Sequence, residues 1–249
     1  MPSSPSFCLA PALPCRWQLA LDEVLLERCE ASRGTQQWVR TWEAARPTVV
    51  VGRAAQLRDE VDQAACRRDG IEVLRRCTGG GAVVLGPGCL VYSVVLSVVE
   101  HPFVRDLSAA HRWILQRVSA ALGASGAPVA HEGTSDLVQG DRKVSGNAMK
   151  LKRHALLYHG TVLYDAPVTS YHRWLHHPPR EPEYRRGRAH ADFVANLRLD
   201  RQRFTRELFR VFAVDSERPW PRKEVEQLVA AKYGRASWHE EGRRMENGK

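Results

Sequence analysis

The sequence has no long apolar run and no cysteine pattern of the kind that binds metal. None of its hydrophobic stretches approaches the roughly 20 residues that a transmembrane helix needs, so we expect no membrane span. The six cysteines stand at positions 8, 15, 29, 66, 77 and 89. They form no C-x-x-C pair, and no histidine cluster accompanies them at zinc spacing. We therefore predict reduced thiols and no tightly bound metal.

Internal repeats, low-complexity segments and targeting signals are also missing. Residues 1–15 contain no Lys or Arg and are interrupted by Pro11 and Pro14, which is a poor match to a signal peptide. We expect a cytoplasmic protein with a loose leader over residues 1–15, one domain over 16–240 and a polar tail over 241–249.

Acidic residues are outnumbered by basic ones. The 249 residues include 37 Lys and Arg against 28 Asp and Glu, a formal charge of +9. Such a balance favours nucleic acid, anionic membranes, phosphorylated substrates or acidic proteins as partners. Basic residues are dense over residues 172–190, where aromatic residues are interleaved at Tyr171, Trp174 and Tyr184. Besides Arg173, these basic residues are Arg180, Arg185, Arg186, Arg188, His172, His176, His177 and His190. We interpret this stretch as a solvated loop beside the functional site. A nucleic-acid surface and a face for an acidic acceptor protein are the alternatives.

Hydrophobic periodicity predicts helices and strands in an α+β order. Helices are predicted over residues 16–31, 57–68, 108–122, 200–212 and 221–234, with Asp200 as a cap. Strands are predicted over 37–43, 48–52, 71–76, 82–85, 89–98, 135–138, 143–149 and 155–163. The β-branched run 89–98 is placed centrally in its sheet. The layout predicts a mixed, mostly antiparallel sheet with helices laid against one face.

Three consecutive glycines separate two of the predicted strands, in the sequence Arg75-Arg76-Cys77-Thr78-Gly79-Gly80-Gly81-Ala82-Val83. Glycines let the backbone approach a ligand and leave N–H groups free to bind an anion, which an adjacent arginine could also pair. No Walker sequence follows and no G-x-G-x-x-G opens a helix here. By itself the motif could equally be a bulged hairpin with surface arginines.

Three further segments carry polar side chains that suit a cleft. In Asp141-Arg142-Lys143-Val144-Ser145-Gly146-Asn147-Ala148, a strand-borne lysine could stabilise charge on a phosphoryl or acyl oxygen. Asp136 precedes this hairpin and could orient Lys143 or cap a turn. His159 stands before Gly160 and Thr161 in a strand, where a core histidine is the common alternative.

Taken together, these segments closely resemble the lipoate–protein ligase family in order and approximate spacing. Flanking matches extend the resemblance from Trp17 to Trp238, and they are Leu21-Asp22-Glu23, Thr48 to Arg53, Glu181 to Arg185, Phe193, Asn196-Leu197 and Lys232-Tyr233. The resemblance implies the biotin/lipoate ligase fold, in which a mixed sheet backed by helices cups an acyl chain.

The resemblance also implies a reaction, its substrates and its acceptors. Lipoate or octanoate would react with ATP and Mg²⁺ to give an acyl-adenylate and pyrophosphate. A lysine ε-amine of a lipoyl domain would then displace AMP. The expected acceptors are the E2 subunits of 2-oxoacid dehydrogenases and the H protein of glycine cleavage.

Site residues follow from the same resemblance, position by position. Lys143 would lie against the adenylate phosphate and the acyl carbonyl. The other residues expected to line the acyl and adenylate pocket are Arg75, Arg76, Thr78, Gly79, Gly80, Gly81, Ala82, Asp136, Ser145, Gly146, Asn147, His159, Gly160 and Thr161. We expect Val83, Val91 and Val144 to line an apolar trough for the chain.

Some features depart from the family pattern. Ala55-Gln56 stands where ligases often have Gln-Asn, and Met149-Lys150 stands where many have an aromatic residue and Arg. The sequence ends soon after Trp238, where many ligases carry an accessory domain, so a separate accessory subunit is an expected partner for adenylation.

An octanoyl or lipoyl transferase of the same superfamily is the nearest alternative. Such transferases use a cysteine nucleophile before the hairpin lysine, and residues 128–140 contain none. A biotin ligase is disfavoured because no Gly-Arg-Gly-Arg loop is present. An inactive relative is disfavoured because the glycine turn, Lys143 and His159 occur together.

Overall fold

Strands and helices alternate in the computed structural model, which describes residues 4–241. The strands are β1 (Ser6–Leu9), β2 (Trp38–Glu43), β3 (Thr48–Val51), β4 (Glu72–Arg75), β5 (Val83–Leu85), β6 (Cys89–Ser97), β7 (Ala130–Glu132), β8 (Asp136–Gln139), β9 (Arg142–Leu151), β10 (Ala155–Leu163) and β11 (Ser216–Pro219). The α-helices are α1 (Cys15–Ala31), α2 (Leu57–Glu60), α3 (Gln63–Arg68), α4 (Leu107–Ala124), α5 (His190–Phe193), α6 (Arg201–Val211), α7 (Arg222–Leu228) and α8 (Ala236–Glu241). A π-helical turn, Val229–Tyr233, joins α7 to α8.

Two sheets form the framework. The larger has the order β11-β1-β2-β6-β10-β9-β8-β7, and the smaller has the order β4-β3-β5. Strand β1 runs parallel to both of its neighbours, and β3 runs parallel to β4. The other pairs are antiparallel. The predicted α+β class with a mixed, mostly antiparallel sheet is confirmed, and so is the central place of the run that forms β6.

Alternate residues of β6 face two separate hydrophobic cores. Val91 and Val95 pack with α1 and the small sheet, whereas Tyr92 and Val94 pack with α4 and α6. Because successive side chains of a strand point to opposite faces, the large sheet is covered on both sides. The prediction that helices cover one face is therefore wrong. All nine residues of β6 are buried, and an unbroken apolar run is the pattern of a strand covered on both faces.

Residues 6–9 form a strand, where the sequence predicted a loose leader. Strand β1 lies between β2 and β11, and Ser6 pairs with Ser216, 210 positions further along the chain. The Phe7 ring stacks on Phe209 of α6 at 5.3 Å between centroids. Four residues are too few to show a periodicity, and the partner strand is remote in sequence, so local pattern could not reveal this pairing. Residues 1–3 of the predicted leader lie outside the described residues.

The predicted helix over residues 57–68 is two helices. Val61 is extended (φ −132°) and bridges to Leu175, and the Asp62 carboxylate accepts a hydrogen bond from the Ala65 amide at 2.8 Å to begin α3. An aspartate at this position satisfies one of the unpaired N–H groups of a helix start. Asp200 begins α6 in the same way, as predicted. The division into one domain over 16–240 stays a prediction, and residues 242–249 of the predicted tail lie outside the described residues.

Candidate functional site

A cavity of about 270 Å³ lies between the two sheets, where the glycine turn of residues 79–81 faces β9 and β10. Most of the predicted site residues line it, and these are Arg76, Gly80, Gly81, Ala82, Asp136, Lys143, Ser145, Gly146, Asn147, His159, Gly160 and Thr161. Arg75, Thr78 and Gly79 are not among its lining residues. Segments far apart in sequence therefore meet at one place, as their joint pattern predicts.

Lys143 reaches this cavity from the start of β9. Its Nζ lies 2.8 Å from Asp136 Oδ1, and the Tyr184 hydroxyl donates to Asp136 Oδ2 at 2.8 Å. A Cβ on Gly146 would lie 2.9 Å from the Lys143 Cε, so the absence of a side chain there lets the lysine lie across the strand. Tyr184 was not predicted as a site residue. Burial and the Asp136 carboxylate raise its pKa, so it remains a hydrogen-bond donor.

A β-bulge lies next to Lys143 in strand β9. Leu137 pairs with Ser145 and Val138 pairs with Lys143, which leaves Val144 as an extra residue on β9. Val144 is fully buried in the core beneath α4 and α6, and it does not line the cavity. The prediction that Val144 lines the acyl trough is therefore wrong. Val144 lies on the face of β9 opposite to Lys143 and Ser145, as the alternation of side chains along a strand requires.

Asn147 lies against a glycine of the neighbouring strand. Its Nδ2 donates to the Ser135 carbonyl at 2.7 Å, and its Oδ1 accepts from the Tyr92 hydroxyl. A Cβ on Gly160 would lie 1.7 Å from that Oδ1, so only glycine fits at this position. The Asn147 amide is thereby fixed in the cavity wall.

The glycine turn is held from behind by Arg76. The Arg76 guanidinium donates to the carbonyls of Gly79 at 2.6 Å, Gly81 at 3.0 Å and Val50 at 3.1 Å. Its Nε donates to the Thr78 hydroxyl at 3.0 Å. Burial lowers the pKa of Arg76 to about 10, which still leaves it charged near neutral pH. Arg76 therefore shapes the turn and adds positive charge at the cavity wall.

His159 connects the turn to helix α1. Its Nε2 lies 2.7 Å from Thr78 Oγ1 and its Nδ1 lies 3.1 Å from Asp22 Oδ2. Asp22 is buried, and Arg40 donates to it at 2.9 Å. Burial alone would raise the pKa of Asp22, but Arg40 and the hydrogen bonds from His159 and Ser93 lower it overall. Because an ionised carboxylate only accepts hydrogen bonds, the proton on this side belongs to His159 Nδ1.

Arg75 was expected to line the acyl and adenylate pocket, but it does not line the cavity. Its side chain is 1% exposed and turns away from the cavity toward α8. Its neighbour Arg76 faces the cavity because adjacent strand residues point to opposite sides.

Apolar side chains form the rest of the wall. Val83 and Val91 line the cavity as predicted. Several apolar residues that were not predicted also line it, and they are Leu19, Trp42, Val50, Leu163, Tyr171, Leu175, Phe193 and Val194; the Glu60 carboxylate lies among them. Most are ordinary core residues by type and spacing, so no local signal separates them from the remaining core.

The basic stretch packs beside the cavity, as predicted. His176, Arg180, Arg185 and His190 line the cavity. Arg185 is only 4% exposed, so the stretch is not solvated throughout. Burial, with Arg185 and Lys143 nearby, lowers the pKa of His190 to about 4, which keeps its imidazole neutral.

Among residues 4–241, neither a cysteine side chain nor a cluster of metal-ligating residues is present at this site. All six cysteines are buried and free, and none lines the cavity. Burial raises the pKa of Cys77 and of Cys89 to about 12, which disfavours a thiolate. Within the same range, no group of three or more His, Cys, Asp or Glu side chains is placed to hold a metal ion. No helix of this part of the chain is long and apolar enough to cross a bilayer.

Comparison with known sequences gives one family. Residues 14–213 match the model described as the lipoyl protein ligase A/B catalytic domain. The chain is similar to the probable lipoate-protein ligase A of Mycoplasma pneumoniae, at 31% identity over 157 residues. This alignment covers 63% of the chain but only 44% of that relative, which is less than half of its length.

Comparison with solved structures gives the same fold. A structure of a bi-partite lipoate protein ligase and its E2 lipoyl domain from Thermoplasma acidophilum matches with a TM-score of 0.80 and 23% identity, covering 96% of each chain. The T. acidophilum protein Ta0514 with bound lipoic acid matches at 0.80 and 22%, covering 96% of this chain and 99% of that one. A lipoate-protein ligase A bound with ATP matches at 0.78 and 23%, covering 94% and 98%.

Proposed function

Because the chain belongs to the lipoyl protein ligase A/B catalytic-domain family, we propose that it joins lipoate or octanoate to ATP and passes the acyl group to a lysine of a lipoyl-domain protein. One observation carries this proposal. The Lys143 ammonium and the glycine turn face the same cavity, whose remaining wall is largely apolar. That arrangement suits an acyl chain joined to a phosphate.

The first step would form the acyl-adenylate. A carboxylate oxygen of the fatty acid attacks the α-phosphorus of ATP, and pyrophosphate leaves. Negative charge on the phosphoryl oxygens would be stabilised by Lys143, by Arg76 and by backbone N–H groups of the turn. Magnesium would arrive with the nucleotide as part of the substrate. The two carboxylates at the cavity, Asp136 and Glu60, already accept hydrogen bonds from protein groups.

The second step would transfer the acyl group. The neutral acceptor amine attacks the acyl carbonyl, an amide bond forms, AMP leaves with the electron pair of the broken C–O bond, and the proton lost by the nitrogen passes to solvent. Charge on the carbonyl oxygen and on the leaving phosphate lies within reach of one fixed ammonium, so Lys143 would serve both steps. When substrate binds, the Lys143 Nζ would exchange Asp136 for these oxygens.

Acceptors of this activity would be the lipoyl domains of 2-oxoacid dehydrogenase E2 subunits or the glycine cleavage H protein. One structural relative was solved as a bi-partite ligase with its E2 lipoyl domain. A separate accessory subunit is therefore a proposed partner for adenylation.

A thioester transferase is less well supported, because no cysteine lines the cavity among the described residues. A nucleic-acid function is disfavoured because Tyr171 and Trp174 are buried and cannot stack on bases.

Mass spectrometry of an apo lipoyl domain tests the proposal. The purified chain is incubated with lipoate, ATP and Mg²⁺, with preformed lipoyl-adenylate, or with an octanoyl carrier thioester. Modification from free lipoate supports a self-sufficient ligase, and modification from the adenylate alone supports a transfer subunit that needs a partner. Modification only from the thioester would replace the ligase proposal with a transferase.

A further inference from the structure

Arg75 is a buried cation that is held by backbone carbonyls. Among the described residues no carboxylate accepts a hydrogen bond from its guanidinium. Burial lowers its pKa below the usual arginine value, with Glu60 acting against that shift. Its acceptors form two groups, one in α8 (Trp238, His239 and Glu240) and one in the loop of residues 52–55 (Gly52, Arg53 and Ala55).

The first group lies in helix α8. Arg75 Nη2 donates to the His239 carbonyl at 3.0 Å, and Nε donates to the Trp238 carbonyl at 3.2 Å. The main chain of Arg75 joins α8 as well. Its N–H donates to His239 Nδ1 at 3.0 Å, and its carbonyl accepts from Trp238 Nε1 at 3.0 Å.

The second group lies behind the glycine turn. Arg75 Nη1 donates at 2.8 Å to the carbonyls of both Gly52 and Ala55. The Arg53 N–H in turn donates to the Thr78 carbonyl at 2.8 Å. A Cβ on Gly52 would lie 1.9 Å from the Gly80 carbonyl oxygen, so the loop and the turn are in direct contact. Gly80 lines the cavity on its other side.

From these contacts we propose that Arg75 is a positioning residue for the adenylation step. It couples α8 to the 52–55 loop, and the loop holds the glycine turn at the place where the phosphate is handled. The proposal rests on the function proposed above. Displacement of a catalytic group by about 1 Å costs on the order of 100-fold in rate, so a loosened turn has a kinetic signature. Only a guanidinium has enough fixed donors to serve both groups of carbonyls, because the three donors of a lysine radiate from one nitrogen.

Arg75→Lys tests this by separating activation from binding. Pyrophosphate release measures adenylate formation, and calorimetry measures lipoate affinity. We expect adenylate formation to fall about tenfold or more. The Kd for lipoate should change less than about twofold, since Arg75 does not line the acyl cavity.

Tyr233→Phe is the matched control. It removes a buried hydrogen bond that the Tyr233 hydroxyl donates to Glu23. This hydrogen bond holds the π-helical turn before α8, but it involves neither Arg75 nor the 52–55 loop. Both variants should lower the melting temperature, but Tyr233→Phe should keep its adenylation rate per folded molecule. Equal rate losses in the two variants, or an unchanged rate in Arg75→Lys, would overturn the proposal.

Amide hydrogen exchange tests the coupling without any activity. The Arg53 and Ala55 amides are hydrogen-bonded to the carbonyls of Thr78 and Gly52. Both should exchange about tenfold faster or more in Arg75→Lys than in Tyr233→Phe. Unchanged exchange would refute the coupling even if the wild-type chain proves to have no ligase activity. An inactive wild type with faster exchange in Arg75→Lys would instead locate the failure in the proposed function.

Discussion

The backbone of Lys143 is held in place, and its ammonium can exchange one partner for another. Its backbone is held on both sides, since its carbonyl accepts from the Ala195 amide at 2.9 Å and its strand pairs with β8. Among residues 4–241 its ammonium contacts a single carboxylate, Asp136, and about a quarter of the side chain is exposed (27%). A bound phosphate or acyl oxygen can therefore compete for the ammonium without any change in the backbone.

Lys143→Ala should abolish acyl transfer and leave the fold intact. Loss of one preorganised donor in a catalytic site typically costs on the order of 100- to 1,000-fold in kcat, and we expect a loss at least as large here. The control is Lys152→Ala, which removes a lysine just beyond the other end of β9 that pairs with Glu27 away from the cavity. Near-wild-type transfer by Lys143→Ala would refute the role given to this lysine.

Gly160→Ala should destabilise the protein and disorder the site. The new methyl group would overlap the Asn147 amide, and overpacking of this kind costs about 1–3 kcal/mol. Gly123→Ala is the matched control, because a Cβ there meets no atom within 4 Å and the residue lies in α4. It should be neutral or stabilising by about 0.4–1 kcal/mol. Urea unfolding of both variants measures the difference, and equal midpoints would contradict the steric argument.

Glu23 joins three elements, helix α1, strand β9 and the π-helical turn. Its carboxylate accepts from Lys150, Lys232 and Tyr233 and is 6% exposed. Burial raises the pKa of Glu23, but the two lysines outweigh it and lower the pKa below the ordinary glutamate value of 4.5. A lowered folded-state pKa gives stability above the unfolded-state pKa that is lost as pH falls.

Glu23→Gln should therefore be less stable than the wild type by an amount that depends on pH. Removal of one partner of a buried ion pair costs about 3–5 kcal/mol near neutral pH. As the pH falls below 4.5, the carboxylate becomes protonated first in the unfolded wild type, and the difference between the two proteins should narrow until the lowered folded-state pKa has been passed. Urea unfolding at a series of pH values measures this difference. A constant difference across that range would show that the ion pairs do not set the stability.

Elements with a strong local pattern were predictable, and elements defined by distant partners were not. The periodicity of α1 and the Asp200 cap gave the correct helices, because both are properties of neighbouring residues. Strand β1 exists through pairing with β2 and β11, and the break at Val61 depends on its bridge to Leu175. Neither partner can be read from the local sequence.

The candidate site divides in the same way. Residues of the glycine turn and of the Lys143 strand were found because their motifs are contiguous. Val144 was assigned to the wrong face because an apolar side chain suits an acyl trough, although its neighbours Lys143 and Ser145 occupy the cavity side and alternation places it on the other. Arg75 was predicted to line the pocket because an arginine beside a glycine run suits an anion. Its carbonyl acceptors in α8 are more than 160 residues away, as the separation of 163 to Trp238 shows.

At the scale of the whole molecule, the positive charge lies in two regions, and only one of them is close to the cavity. The cavity opens beside the basic segment, whereas α6 carries further arginines on the opposite side of the large sheet. Both regions contribute to the formal charge of +9. Only the first can attract an acidic acceptor domain toward the Lys143 cavity, because screening confines the effect of a surface charge to its surroundings.

Arg173→Glu and Arg203→Glu distinguish local attraction from net charge. Both residues are exposed, and both changes alter the net charge equally, but Arg173 adjoins the cavity wall at Tyr171 and Arg203 lies on α6. At low salt, kcat/KM for transfer to an acidic lipoyl domain should fall about tenfold in Arg173→Glu and little in Arg203→Glu. The Debye length shrinks from about 30 Å at 0.01 M salt to about 3 Å at 1 M, so the difference should disappear at high salt. Adenylate formation, which involves no acceptor domain, should be the same in both variants. Equal effects on transfer would mean that net charge, rather than the basic segment, governs the encounter.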